Sequence, residues 1–287
     1  MTVTITTIVE TPSGKGAGDE NFPVGSWLLP ARLRPHVARF YAFARAIDDI
    51  ADDPELTAQD KITRLTGFED ALLGRIKDVP GYEKAYHIRQ SLRQTGVTPQ
   101  HCVDLISAFK QDATKLRYTD WDDLMDYCDR SAAPVGRYLL DLHGESKDGY
   151  PASDALCNAL QVINHLQDCK DDGRNLDRVY LPLDWMEAEG VTVASLNAPG
   201  ASPGLRAVLD RCLDATERLL VRARALPRSL KSRRLAMESA AILRIAERLT
   251  VLLRRRDPVA ERVALTRPGF ILCCLQGACR TILITPA

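Results

Sequence analysis

Two groups of aspartates in this chain have side chains that could bind metal ions, and each group has helical spacing. In the first group, Tyr41, Arg45, Asp48 and Asp52 fall on one side of a helix, with Asp49 between them. Two carboxylates one turn apart repel each other, and a divalent cation removes that cost. Mg²⁺ suits the arrangement because it takes one or two carboxylates and completes its shell with water and phosphate oxygens. The spacing therefore predicts a Mg²⁺ site that uses Asp48 and Asp52.

The second group consists of Asn164, Asp168 and Asp172, which are spaced at i, i+4 and i+8 on one side of a helix. They offer one amide and two carboxylate oxygens, which are also ligands for Mg²⁺. Asp171 lies about 100° away around the helix, so we expect it to face solvent. A solvated acidic surface explains either group equally well when it is taken alone. Two groups, each flanked by apolar residues, favour metal binding, because a carboxylate in apolar surroundings needs a compensating charge.

Two metal-binding helices that face one another across an apolar cavity would suit the ionisation of an allylic or cyclopropylcarbinyl diphosphate. Metal ions neutralise the departing diphosphate. An aromatic wall then keeps water from the carbocation and stabilises it through the ring faces. The candidates for that wall are Phe40, Tyr41, Phe43, Tyr127 and Tyr138. Core packing is the alternative role for each of these rings.

Composition excludes several other classes of protein. The chain has 38 basic and 38 acidic residues, so it lacks the basic surplus of a general nucleic-acid-binding protein. No apolar run reaches the roughly 18 residues of a membrane span, and no signal-peptide pattern is present. The eight cysteines include no CxxC pair, which indicates reduced, core-filling thiols and not a zinc site. We therefore expect a cytoplasmic protein.

The pattern of apolar residues is helical almost throughout, so the sequence predicts an all-α protein. Residues 1–20 are rich in Thr, Gly and Ser and are predicted to be a disordered tail, with one helical domain over 21–287. The first helix is predicted after Pro30, and further helices are predicted at about 58–75, 83–95, 99–116, 120–143, 152–172, 203–225, 233–255 and 258–277. The segments 173–182 and 197–204 are predicted to be loops.

These residues also resemble the squalene/phytoene synthase family, from about residue 21 to beyond Arg262. The matching pieces are Asn21–Pro23 with Leu28–Pro30, the block Tyr41–Asp52, the segment from Tyr127 to Gly136, and Asn164–Asp172 leading to Arg178–Pro182. The resemblance implies a single-domain helical bundle of the isoprenoid-synthase type around a central cavity. It also implies that several Mg²⁺ ions bind together with the diphosphate of an isoprenoid substrate.

The resemblance assigns roles to individual residues. It places Asp48 and Asp52 on one set of Mg²⁺ ions and Asn164, Asp168 and Asp172 on another, and it makes the four aspartates catalytic together with Tyr41. The implied substrate-binding residues are Arg45, Tyr127, Arg178, Tyr180 and, by a looser match, Arg262.

Within the family, the segments 21–24, 33–37, 131–136 and 161–169 resemble members from bacterial hopanoid biosynthesis. The chain departs from condensing relatives at Asn21–Gly25 and at Gln167, where those relatives commonly carry Arg, and it has no tyrosine after Tyr180. These departures imply a substrate that is already joined. Presqualene diphosphate, supplied by a separate synthase, would ionise and rearrange, and water would capture the cation to give hydroxysqualene without NADPH.

Several alternatives remain open at this level. One is an enzyme that condenses two prenyl diphosphates, as a presqualene diphosphate, phytoene or squalene synthase does, and another is a non-catalytic assembly factor of the same fold. His165 could orient a water, although a packed core residue is the simpler interpretation. Asp129 could do the same, with a structural ion pair as its alternative. The basic run at 254–256 is interpreted as a solvated helix end or as a peripheral contact with the inner membrane.

Overall fold

The structure is a computed structural model that describes residues 9–11 and 28–284. The motif at Asn21–Gly25 and most of the predicted tail lie outside these residues. The described part of the chain forms two compact units, one containing 9–11 and 31–114 and the other containing 28–30 and 115–284. Both units are helical, which confirms the predicted all-α class. The prediction of a single domain over 21–287 stays a prediction.

The first unit contains four helices, and they match the predicted segments closely. These helices are α1 (Arg34–Asp52), α2 (Ala58–Leu73), α3 (Glu83–Thr95) and α4 (Gln100–Asp112). Helix α1 begins later than predicted, since Pro35 and not Pro30 occupies its first turn. Proline suits that position because it has no N–H to leave unpaired. Helices α2 and α3 end at glycines with φ of 78° and 74°, a left-handed conformation that favours glycine.

The core of the first unit lies on the predicted apolar face of α1. Val37, Phe40, Phe43 and Ile47 are all buried there. The ring of Phe43 lies 6.1 Å from that of Phe68 on α2, measured between centroids. Arg45 and Asp48 lie outside this buried face, and their side chains are 18% and 30% exposed.

The second unit contains nine helices and two short strands among its described residues. The helices are α5 (Trp121–Ser131), α6 (Ala133–His143), α7 (Tyr150–Gln167), α8 (Cys169–Asn175), α9 (Leu183–Ala188), α10 (Pro203–Ala223), α11 (Leu226–Ser229), α12 (Arg233–Arg255) and α13 (Arg267–Ile284). The strands β1 (Arg117–Tyr118) and β2 (Val179–Pro182) pair in parallel. Two 3-10 turns, Lys147–Gly149 and Val193–Asn197, complete the unit.

Four predicted features of the second unit are wrong in detail. The helix predicted at 120–143 is broken at Ala132, where φ is −123°, and Pro134 starts the next helix. The helix predicted at 152–172 is broken at Asp168. The last helix starts at Arg267 and not near 258, and Pro268 lies in its first turn. Within the predicted loop 173–182, the residues of β2 pair with β1.

Close helix packing in the second unit depends on two glycines. A Cβ added to Gly136 on α6 would lie 2.3 Å from Ser153 Oγ on α7. A Cβ added to Gly277 on α13 would lie 2.5 Å from the Ala240 carbonyl oxygen of α12. Both distances are far below van der Waals contact, so the helices could not approach this closely with larger residues. No helix among the described residues is long and apolar enough to cross a membrane.

Candidate active site

The first acidic group lies in the last turns of α1 and contains a salt-bridge network. Arg45 Nη1 lies 3.0 Å from Asp48 Oδ2, and Arg45 Nη2 lies 2.7 Å from Asp49 Oδ1. Arg45 Nε also donates to Asp49 Oδ1, at 2.9 Å. The side chain of Asp49 is only 7% exposed, whereas that of Asp48 is 30% exposed. Asp49 therefore anchors Arg45, and Asp48 is the member of this pair that a ligand can reach.

Negative charge is concentrated around Asp48. Helix α1 ends at Asp52 without a basic residue in its last turn, although the C-terminal end of a helix favours cations. Burial and, next, the Asp52 carboxylate raise the pKa of Asp48 well above its ordinary value. Asp49 and Asp112 raise it further, and Arg45 opposes them. Asp112, the last residue of α4, is itself buried. A bound cation would relieve this repulsion.

The second acidic group lies at the junction between α7 and α8. The backbone leaves the α-helical region at Asp168, where φ is −103° and ψ is 7°. The hydrogen bonds nevertheless keep the i, i+4 pattern: Asp168 N–H donates to the Asn164 carbonyl at 2.9 Å, and Asp172 N–H donates to the Asp168 carbonyl at 2.8 Å. Asp168 is exposed, and Asn164 and Asp172 are half-buried. Asp171 is exposed as well, as the sequence predicted.

The donor atoms of both groups suit Mg²⁺. They are carboxylate oxygens and one amide oxygen, without thiol or imidazole ligands, and hard cations prefer such oxygens. Among the residues that the structure describes, no three His, Cys, Asp or Glu side chains surround one metal position. Mg²⁺ does not require such a cage, since it takes one or two carboxylates and fills its shell with water and substrate phosphate. The residues present therefore fit a Mg²⁺ ion that binds together with a diphosphate.

Lys170 and Gln167 lie in the same segment as the second acidic group and fix its position. Sequence analysis assigned this role to neither residue. Lys170 Nζ donates to the carbonyls of Ala198 and Val259, each at 2.9 Å. The buried Gln167 donates from Nε2 to the Val263 carbonyl. The sequence contains no signal for the Lys170 contacts, because a lysine among aspartates normally indicates a solvated surface.

The Gln167 contact also determines where Arg262 lies. Arg262 precedes Val263 in the segment between α12 and α13, and its side chain is exposed. The hydrogen bond to the Val263 carbonyl therefore places the predicted substrate-binding arginine next to the start of the second acidic group. Gln167, which the sequence showed only as a departure from condensing relatives, is the residue that makes this contact.

A buried aromatic group lies beside the second acidic group. The ring of Tyr180 on β2 stacks on His165 of α7, with centroids 3.6 Å apart and an interplanar angle of 12°. Tyr127 of α5 lies 5.6 Å from Tyr180 and 6.0 Å from His165. Tyr118 of β1 stacks on Tyr180 at 5.5 Å. The structure thus brings Tyr127 and Tyr180 together, and it adds Tyr118, which sequence analysis missed.

The other predicted aromatic residues occupy different places. Tyr138 is fully buried on α6, and Phe40 and Phe43 belong to the core of the first unit. Tyr41 is half-buried on α1, one turn before Arg45. Core packing therefore accounts for Phe43, as the alternative interpretation of the sequence allowed.

Arg178 is buried and lies between the second acidic group and the aromatic group. Its N–H donates to the Asp172 carbonyl at 3.2 Å. The preceding residue, Asp177, has a left-handed φ of 52°, and Arg117 donates to both its carbonyl and its carboxylate. Burial and, next, the charge of Arg178 lower the pKa of His165 to about 3. The imidazole is therefore uncharged at neutral pH.

Comparison with known proteins identifies the class to which this fold and these residues belong. A profile of the squalene/phytoene synthase family matches residues 16–268. The chain belongs to the squalene/phytoene synthase family. This finding confirms the family predicted from the sequence and the prediction of an isoprenoid-processing enzyme.

Individual relatives narrow the comparison. The chain is 44% identical to hydroxysqualene synthase from Rhodopseudomonas palustris, over 93% of this chain and 91% of that protein. It is also 44% identical to hydroxysqualene synthase from Zymomonas mobilis, over 88% of this chain and 84% of that protein. Among solved structures, the squalene synthase HpnC from Alicyclobacillus acidocaldarius matches with a TM-score of 0.71 and 31% identity. That match covers 81% of this chain and 87% of the other.

The contacts of Lys170 lead to a first prediction. Lys170→Met should remove both hydrogen bonds to backbone carbonyls and should lower the free energy of unfolding by about 1–3 kcal/mol. Amide hydrogen exchange of Cys169–Asn175 should become faster because α8 loses its attachment to the two loops. Lys147→Met, in an exposed 3-10 turn, is the matched control. Equal exchange of α8 in both variants would contradict the assigned role.

Proposed function

We propose that this protein is a hydroxysqualene synthase, which ionises presqualene diphosphate and adds water to the resulting carbocation. The observation that carries this proposal is 44% identity, over about nine-tenths of both chains, to a relative with that name. A near-complete match at this level exceeds the 31% identity to a phytoene synthase from Paracoccus. The residues of the site are consistent with the reaction.

The acidic residues of the site would hold the cofactor. Asp48 and Asp52 of the first unit, and Asn164, Asp168 and Asp172 of the second unit, are the residues that would bind Mg²⁺. When bound, Mg²⁺ would neutralise the diphosphate leaving group so that its C–O bond can break heterolytically. The concentration of carboxylates around Asp48 supports this assignment, because Arg45 compensates the repulsion among them only in part.

The basic and phenolic residues would bind and orient the diphosphate. Arg178 and Arg262 are held near the second acidic group through the Asp172 and Val263 carbonyls respectively. Arg45 is paired with Asp48 and Asp49, and it would turn one guanidinium edge to a phosphate oxygen once a metal ion takes Asp48. Tyr41, one turn before Arg45, and Tyr180, on β2 of the second unit, are the tyrosines that would donate hydrogen bonds to a diphosphate.

The aromatic group would protect the carbocation. The rings of Tyr118, Tyr127 and Tyr180 are buried and lie within 5.3–5.6 Å of one another. Faces of such rings stabilise positive charge on carbon, and their burial excludes bulk water. Capture by one water requires no reductant, so we propose that NADPH takes no part. The cyclopropane of the substrate must be made beforehand by an enzyme that joins two prenyl diphosphates.

Product analysis tests the proposed reaction directly. The purified protein should convert presqualene diphosphate with Mg²⁺ to hydroxysqualene and diphosphate, and chelation of the metal should stop the reaction. Addition of NADPH should leave the product unchanged. Farnesyl diphosphate alone should give no C30 product. A C30 product from farnesyl diphosphate would instead identify a condensing enzyme, and an NADPH-dependent switch to squalene would identify a reducing one.

Substitution of the acidic residues tests the metal assignment. Asp48→Asn and Asp168→Asn should each lower kcat by about 10²-fold or more, because each removes a metal ligand while keeping the shape of the side chain. The far-UV circular dichroism should remain that of the parent protein. Asp171→Asn is the matched control, since Asp171 is exposed and lies in the same segment. Full activity in both test variants would refute the assignment.

We propose that the protein binds peripherally to the cytoplasmic face of the inner membrane and takes up its lipid-derived substrate there. Helix α13 exposes Ile271, Leu272 and Leu275, which are each more than half exposed and lie within two helical turns. Two of the three arginines in the basic run 254–256 are already paired with acidic side chains. Arg254 pairs with Asp214 and Glu217, and Arg256 pairs with Glu261. We therefore assign the contact to α13.

Flotation with vesicles of phosphatidylethanolamine and phosphatidylglycerol tests this contact. Replacement of Ile271, Leu272 and Leu275 by serine should lower the bound fraction by roughly tenfold, since apolar burial supplies the attraction. The matched control replaces Val221 and Val251 by serine, because these are exposed apolar residues on other helices. An equal decrease in both variants, or no binding by the parent protein, would reject the contact.

A further inference from the structure

Three buried polar atoms near the aromatic group have no hydrogen-bond partner among the described residues. They are Nε2 of His165, Oδ1 of Asn158 and Oγ of Ser131. Each of these residues is more than nine-tenths buried. A buried polar atom without a partner is costly, and in native proteins such atoms are usually bound by ordered water. Three of them in one region therefore indicate positions where water binds.

The three atoms follow the interface between α5 and α7. Asn158 and His165 are seven residues apart on α7, so they share a face of the helix and lie about 10 Å apart along its axis. Tyr127 and Ser131 are one turn apart on α5. Tyr127 packs against His165, and the exposed Asp129 accepts a hydrogen bond of 2.6 Å from Asn158 Nδ2. Asn158 therefore connects the exposed Asp129 to the face of α7 that also carries His165.

The surroundings of His165 hold its ring in one orientation. Tyr180 stacks on one face at 3.6 Å, and the neighbouring residues Val162 and Leu166 on α7 are buried and apolar. The adjacent residue in the chain, Asn164, belongs to the second acidic group. The Nε2 atom is therefore a fixed polar point at the boundary between the aromatic group and the acidic group.

We propose that Nε2 of His165 holds the water that captures the carbocation, and that Asn158 and Ser131 hold the waters that lead to it. This inference rests on the proposed function. The water oxygen forms a C–O bond with the cationic carbon, and the proton that it loses passes to the released diphosphate, while Nε2 accepts a hydrogen bond that fixes the water. Capture of a carbocation by water is not a redox step, so it needs no oxidant or reductant. Without a held water, the cation would lose a proton and become a C30 hydrocarbon.

The test measures product identity separately from ionisation. Presqualene diphosphate and Mg²⁺ are supplied, diphosphate release is followed, and the C30 products are separated by gas chromatography with mass detection. His165→Phe should continue to release diphosphate. The ratio of alcohol to hydrocarbon should fall by roughly tenfold or more, as expected when the water loses the hydrogen-bond acceptor that positions it. His143→Phe, a histidine substitution on α6, is the matched control and should keep the parent ratio.

Two further variants make the result decisive. His165→Gln keeps a hydrogen-bond acceptor and should recover part of the alcohol, whereas Asn158→Leu should shift the ratio towards hydrocarbon less strongly than His165→Phe. An unchanged ratio in His165→Phe overturns the inference. If that variant does not fold, an unchanged ratio in Asn158→Leu overturns it instead. Failure of the parent protein to make any alcohol would reject the proposed function itself, which is a different outcome.

Discussion

Repulsion among carboxylates is the constraint on which the rest of the site depends. Asp48, Asp49 and Asp52 are crowded into the last turns of α1, and the buried Asp112 lies close enough to raise the pKa of Asp48. The helix end adds its own negative partial charge. Arg45 offsets one or two of these charges and cannot offset all of them. A folded protein tolerates such a cluster when a cation with a high charge completes it.

The second acidic group meets the same constraint with a different arrangement. Its lysine does not neutralise the neighbouring aspartates, because Lys170 Nζ donates to two backbone carbonyls in distant loops. Gln167 makes a similar contact with the Val263 carbonyl. Lys170 and Gln167 therefore fix the backbone of this group, and the charge of the aspartates is left for a bound ligand to balance. In the second acidic group, the residues that fix the backbone are therefore different from the aspartates that carry the charge.

Helical periodicity predicted most of the fold because it depends on local spacing. The apolar face of α1 and the i, i+4 spacing of Asn164, Asp168 and Asp172 are of this kind. Features that depend on distant segments were not predicted. The two-residue strand β1 has no pattern of its own, so Tyr118 was missed as a neighbour of Tyr180. The break at Asp168 was also missed, because it leaves the spacing of the three oxygen ligands intact.

An enzyme that ends a carbocation reaction with water must exclude water and still admit one molecule of it. Packed tyrosines meet the first requirement, because the rings of Tyr118, Tyr127 and Tyr180 are buried against one another. The second requirement calls for a polar atom that a well-packed core would not otherwise contain. Such an atom carries a cost in stability, so its presence in a folded core calls for an explanation. The imidazole of His165, which packs against Tyr127 and Tyr180, carries such a polar atom at Nε2. This is the physical reason to place the water there.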